Sequence, residues 1–129
     1  MIKNIRHFGI PIIDIEKSLN FYCDLLGFKL VHKNNIKDVY GKDLTYIKLK
    51  INNDPVLLEL LFHDILIYSS SLVNIHMAFT VDDIDATYKK LLDAKVNFLS
   101  PPKKAQDSAC LLCFCYDPSG NLIELVEEK

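Results

Sequence analysis

Two glutamates stand where a carboxylate is unexpected. Glu59 and Glu124 each have hydrophobic residues on both sides along the chain. A buried, ionised carboxylate without a partner is costly, so each glutamate requires a neighbouring cation or a proton. His7 and His76 stand near the starts of two other apolar segments. Two imidazoles and two carboxylates together would form a mixed nitrogen and oxygen shell for one divalent cation, with positions left for substrate oxygens.

These four residues form two sets of one histidine and one glutamate, because the chain contains two similar halves. His7 aligns with His76, and Glu59 aligns with Glu124 once a loop of the second half is taken as shorter. Taken singly, a strand histidine is usually a core or rim residue, and a strand glutamate pairs with a lysine. The recurrence of both types in register favours a shared metal site and an internal duplication as the organising feature.

Each half is predicted to have the order β-α-β-β-β. Alternation places Phe8, Ile10 and Ile12 on the core side of the first strand. Asp14 is a plausible N-cap of the first helix, and Gly27 is placed to end it. The first module covers residues 1–62, a hinge covers 63–73, and the second module covers 74–129. The predicted strands are 5–13, 28–33, 45–51, 56–62, 74–81, 97–99, 109–116 and 121–127, with helices at 14–27 and 82–92.

The composition limits the classes of function. The chain has 129 residues, half of them hydrophobic, and a net charge of -2, which does not fit a nucleic-acid binder. No apolar run is long enough for a membrane span, and the first residues do not have the pattern of a signal peptide, so a cytoplasmic location is expected. Arg6 is the only arginine. Lysines, which grip carboxylates less well than arginine, supply the other positive charges.

Three cysteines crowd into one predicted strand. Cys110, Cys113 and Cys115 have the spacing of a short metal-binding motif, but a structural zinc site usually lies on turns. Strand alternation puts Cys113 and Cys115 on one face and Cys110 on the other. We therefore expect free thiols that act as small hydrophobic residues. If that face lined a pocket, the thiols could instead supply a soft ligand.

Two further features lie outside the repeat. His32 and His63 have no partner in the other half, so a rim position is expected for both. A pocket role is the sharper hypothesis for His63, which closely follows Glu59.

The segment 33–50 is predicted to be an exposed loop and strand, or alternatively the rim of a substrate site. The segment 101–104 has the composition of a solvated loop.

Five motifs resemble the vicinal oxygen chelate superfamily, to which glyoxalase I belongs, and together they extend over nearly the whole chain. The resemblance implies an α+β fold in which two tandem βαβββ modules form a cup-shaped mixed sheet around a metal. Nickel, zinc, cobalt, manganese and magnesium all remain open as the metal. The motifs are His7–Ile10, Asp14–Leu19, Phe21–Phe28, His76–Ile84 and Asp117–Leu125.

The resemblance also implies roles for the four repeated residues. His7, Glu59, His76 and Glu124 match the metal ligands of bacterial glyoxalase I. The similar methylmalonyl-CoA epimerase branch usually has glutamine at the position of Glu59. Fosfomycin-modifying members and extradiol dioxygenases use three protein ligands, and bleomycin-binding members have typically lost the metal. The complete set with Glu59 therefore favours the lyase or isomerase branch. The implied reaction converts a small α-oxo or α-hydroxy metabolite through a metal-stabilised enediolate. Glu124 is the first choice for the base that moves the proton, and Glu59 is the second.

Some positions depart from the glutathione-dependent members. Those members usually place an arginine shortly after the first histidine, where this chain has Gly9 and Pro11, and an asparagine where it has His63. A substrate other than a glutathione adduct is therefore expected. The alternatives are a non-catalytic antibiotic-binding module, a metal-dependent dioxygenase and a resistance transferase. The resemblance further implies a homodimer, with each cup formed within one chain or from exchanged modules.

Overall fold

The computed structural model describes residues 1–37, 41–63, 75–106 and 108–128. The chain divides into two compact units, Met1–Tyr68 and Ser69–Lys129. Each unit contains one mixed sheet, with four strands in the first unit and five in the second. Few helices and two mixed sheets confirm the predicted α+β class. The predicted hinge at 63–73 lies outside the described residues, except for His63.

The first unit has the predicted β-α-β-β-β order. Its sheet order is β1-β4-β3-β2, in which only β1 and β4 run parallel. The second strand continues to Lys37, beyond its predicted end, because it pairs with the third strand up to Asp43. Helix α1 continues as a π-helical segment, Asn20–Leu25. The elements are β1 (His7–Ile12), α1 (Ile15–Leu19), β2 (Lys29–Lys37), β3 (Asp43–Lys50) and β4 (Leu57–Phe62).

The second unit repeats this order with one extra short strand. The sheet order is β5-β9-β8-β6, and β7 pairs with β8. The loop predicted at 101–104 is therefore wrong at Lys103 and Lys104, whose backbone pairs with Leu112 and Leu111. Backbone pairing of this kind needs no apolar side chain. The elements are β5 (His76–Thr80), α2 (Ile84–Asp93), β6 (Asn97–Phe98), β7 (Lys103–Lys104), β8 (Leu111–Tyr116) and β9 (Leu122–Glu127).

Aspartate side chains cap both helices. Asp14 accepts a hydrogen bond from the backbone N–H of Lys17, and Asp83 accepts one from the N–H of Ala86, each at 2.9 Å. Such caps satisfy backbone donors that the first helical turn leaves without partners. After the π-helical segment, Gly27 adopts a φ of +87°, which a side chain would strain. The predicted start and end of the first helical region are thus confirmed.

The core of each unit lies on one face of its sheet. Phe8 has the predicted orientation but is 39% exposed, since it lies near the start of the edge strand β1. Cys113 and Cys115 are fully buried and free, which confirms that they act as small hydrophobic residues. Within the described residues, no helix has the length and apolar character needed to cross a membrane. The other buried residues include Ile10, Phe21, Tyr22, Ile47, Leu49, Leu58 and Leu60 in the first unit, and Ile84, Leu91, Ile123 and Leu125 in the second.

Candidate functional site

In the first unit, Glu59 occupies the middle of the central strand β4. Its neighbours across the two strand pairs are Gly9 on β1 and Lys48 on β3. Because side chains alternate along a strand, Glu59 points away from the face that carries the buried Leu58 and Leu60. Its side chain is only 15% exposed, and its Oε2 lies 3.9 Å from Nε2 of His7.

In the second unit, Glu124 occupies the equivalent position on β9. Its neighbours across the strand pairs are Ala78 on β5 and Phe114 on β8. Its side chain is 19% exposed, and its Oε2 lies 3.1 Å from Nε2 of His76. The ring of Phe114 meets the ring of His76 nearly edge-on, with centroids 5.8 Å apart. Phe114 therefore supports the imidazole at the position where it meets the carboxylate.

The two histidine–glutamate pairs have the same register. In each unit, the histidine stands two residues before the residue that lies opposite the glutamate, which is Gly9 in one unit and Ala78 in the other. The side chains of neighbouring strands thus bring a histidine and a glutamate together twice, by the same local geometry. The two halves that are similar in sequence therefore also have the same local arrangement of histidine and glutamate.

The structure brings the four predicted ligands together as pairs. Within the described residues, no group of three or more His, Cys, Asp or Glu side chains is gathered in a way that could hold a metal ion. The donors of the two pairs nevertheless fit a divalent cation, since two imidazole nitrogens and two largely buried carboxylates are a suitable mixed set. The joint four-ligand site stays a prediction.

The two glutamates differ in the residue that lies opposite them on the antiparallel strand. Lys48 stands opposite Glu59, whereas the apolar Phe114 stands opposite Glu124. Nζ of Lys48 lies 5.4 Å from the centroid of the Tyr46 ring, a distance that allows a cation–π interaction. Sequence reasoning assigned no individual role to Lys48. The alternation of β3 was the available signal, because it puts Lys48 and Tyr46 on one face.

His63 directly follows β4 and is half-buried. Its role in substrate binding stays a prediction. His32 is exposed on β2, opposite Lys48, and its ring centroid lies 5.7 Å from that of Tyr46. His32 thus belongs to the same side-chain face as Lys48, although the sequence predicted only a rim position.

A cavity of about 480 Å³ lies at the end of the hairpin formed by β2 and β3. Its lining includes the ion pair between Lys37 and Asp43, together with Thr45 and Phe62. None of the four predicted ligands contributes to this lining. The cavity therefore belongs to a different part of the first unit from the pair of His7 and Glu59.

Burial also affects the thiols next to the second pair. The pKa of Cys113 rises to about 11 and that of Cys115 to about 12, chiefly because burial disfavours the thiolate. Both residues lie on the core face, opposite Leu125 and Ile123, rather than on the face of Glu124. The alternative in which they supply a soft ligand beside the glutamate is therefore wrong.

Comparison with known proteins gives a consistent result. Residues 4–125 match the family model described as Glyoxalase/Bleomycin resistance protein/Dioxygenase superfamily. A probable lactoylglutathione lyase from Synechocystis sp. is 30% identical over 130 residues, covering 95% of this chain and 94% of the relative. The metallothiol transferase FosB from Lysinibacillus sphaericus is 27% identical, covering 95% of this chain and 81% of the relative. The crystal structure of a glyoxalase family protein from Enterococcus faecalis superposes with a TM-score of 0.81 at 24% identity, covering 97% of this chain and 98% of that one.

Proposed function

Because the chain belongs to the Glyoxalase/Bleomycin resistance protein/Dioxygenase superfamily, we propose that it is a metal-dependent lyase or isomerase. Its substrate is a small α-oxo or α-hydroxy compound, in which a proton moves between neighbouring carbons. The observation that carries the proposal is the histidine–glutamate pair, found in the same register in both units. Relatives named probable lactoylglutathione lyase, which align with nearly the whole chain, support the reaction class.

In this proposal, His7, Glu59, His76 and Glu124 hold one divalent cation. The cation would polarise a substrate carbonyl and acidify the adjacent C–H bond. The two carboxylates supply the negative charge of this ligand set, and their low exposure limits competition from water. Each imidazole lies next to its glutamate, so the donors of each pair are already close to one another before a cation arrives.

Glu124 is the proposed general base. A general base must lie within hydrogen-bond reach of the proton that it removes. The neighbour of Glu124 across β8 is the apolar Phe114, whereas the neighbour of Glu59 is the cationic Lys48. This difference in neighbours is the basis for choosing Glu124 over Glu59 as the base, and both glutamates are also proposed as ligands.

The proposal is tested by proton exchange with solvent. Metal-loaded protein is incubated in D₂O with a panel of α-oxo and α-hydroxy compounds, with and without glutathione, and NMR follows deuterium entering the reacting carbon. We expect exchange with at least one compound, and loss of exchange in Glu124→Gln. Glu128→Gln is the control, because Glu128 is exposed beyond the end of β9. Metal-loaded wild type that exchanges no compound in the panel contradicts the proposed reaction.

Thiol transfer is a second candidate, favoured by the 27% identical relative named metallothiol transferase. In this reaction a thiol adds to an electrophilic carbon rather than a proton moving between carbons. The same metal-loaded protein is therefore incubated with glutathione or cysteine and a small epoxide, and mass spectrometry detects the thioether. A thioether without any proton exchange would favour transfer over isomerisation.

A further inference from the structure

The two units differ in the residue that stands opposite the glutamate, which is Lys48 in the first unit. Strand register puts it directly opposite Glu59, whereas Phe114 takes the corresponding place opposite Glu124. Side chains paired in this way start about 5 Å apart on the same face of the sheet. A lysine therefore stands opposite one predicted ligand, and a phenylalanine stands opposite the other.

Lys48 is not used as an ion-pair partner within the described residues. The carboxylate of Glu59 is instead paired with His7. Lys48 is half-buried, and its Nζ lies over the ring of Tyr46. An aromatic face steadies an ammonium group without neutralising its charge. The cation thus remains available to an anion that comes from outside the chain.

We propose that Lys48 binds a carboxylate of the substrate, one that is remote from the reacting carbons. This inference rests on the proposed function and narrows its substrate class to small oxo acids that carry a second carboxylate. A lysine is a flexible point charge, suited to a single carboxylate group. Since Arg6 is the only arginine and lies outside the strands, the chain has no arginine in its sheets to do this.

The test uses two probes that differ only at the remote end. 2-Oxoglutarate and 2-oxopentanoate share the same oxo-acid group, but only the first has a second carboxylate. Their dissociation constants are measured by calorimetry on nickel-loaded protein. For the wild type we expect 2-oxoglutarate to bind about tenfold more tightly, as a hydrogen bond between charged groups allows.

Three variants test whether the preference for 2-oxoglutarate depends on Lys48. The preference should vanish in Lys48→Met and persist in Lys48→Arg, which keeps the charge. Lys33→Met is the matched control: Lys33 lies on the neighbouring strand, opposite the buried Ile47, and so on the other face of the same sheet. Nickel affinity is measured for each variant, and we expect it to stay within about twofold of the wild type in all three, since Lys48 is not a ligand.

The outcomes separate the two proposals. A chain that binds nickel but does not distinguish the two probes, or keeps its preference in Lys48→Met, contradicts the role of Lys48 and leaves the proposed function standing. A chain that takes up neither nickel, zinc nor manganese contradicts the proposed function, and this inference fails with it.

Discussion

His76 and Glu124 meet across the parallel pair of β5 and β9, with Nε2 and Oε2 3.1 Å apart. The same arrangement joins His7 and Glu59 across β1 and β4, at 3.9 Å. In each unit, the histidine lies at the start of the edge strand, and the glutamate lies in the middle of the strand that pairs with it. The two units therefore share a local geometry and not only a set of residue types.

Phe114→Ala should weaken metal binding without removing a ligand. The ring packs edge-on against His76, and such aromatic contacts contribute on the order of 1 kcal/mol. We expect up to about a tenfold rise in the dissociation constant for nickel, measured by titration. Phe79→Ala removes an aromatic residue from β5 that lies opposite Leu125, on the core face. An equal loss in both variants would mean that Phe114 acts only through general packing.

Asp83→Ala should destabilise the second unit through helix α2. The carboxylate accepts from the N–H of Ala86, and loss of such a cap costs about 1 kcal/mol. Asp83→Asn should retain most of the stability, because asparagine is also a good cap. Asp82→Ala is the control, since Asp82 is exposed and precedes the cap. Urea unfolding measures all three, and an equal loss for Asp82→Ala would contradict the assignment of the cap.

The buried thiols should make stability fall in alkaline solution. Folding raises the pKa of Cys115 from 9.0 to about 12, so the folded protein keeps a proton that the unfolded chain releases. The stabilising contribution is complete below pH 9.0 and is lost as pH rises toward 12. Urea unfolding above pH 9.0 should therefore show a smaller decline for Cys115→Ala than for the wild type. Identical declines would show that this thiol does not contribute.

The sequence singled out these four residues because strand alternation and two similar halves are both visible in it, although it predicted one shared site rather than two pairs. A glutamate with apolar neighbours on a strand must face either the core or a site, and its recurrence in register favoured the second interpretation. The helix starts at Asp14 and Asp83 were equally accessible, since capping depends on a few local residues. The caps therefore depend on short-range patterns.

The features that the sequence did not predict depend on pairing between strands. The neighbour of Glu59 on β3 is fixed by the turn after Ile51, where Asn52 adopts a φ of +47°. A shift of one residue in that turn would replace Lys48 by a core-facing neighbour and reverse the faces. The extension of β2 to Lys37 and the short strand β7 arise in the same way, from partners distant in sequence.

Metal stoichiometry tests the central claim, a single site built from both pairs, most directly. Nickel bound per chain is measured by elemental analysis and titration for the wild type, Glu59→Gln, Glu124→Gln and the double variant. We predict about one ion per chain, with binding of that single ion weakened in each single variant and weakened most in the double variant, as expected if both glutamates are ligands of the same ion. Two ions per chain, each lost independently with its own glutamate, would contradict the shared site.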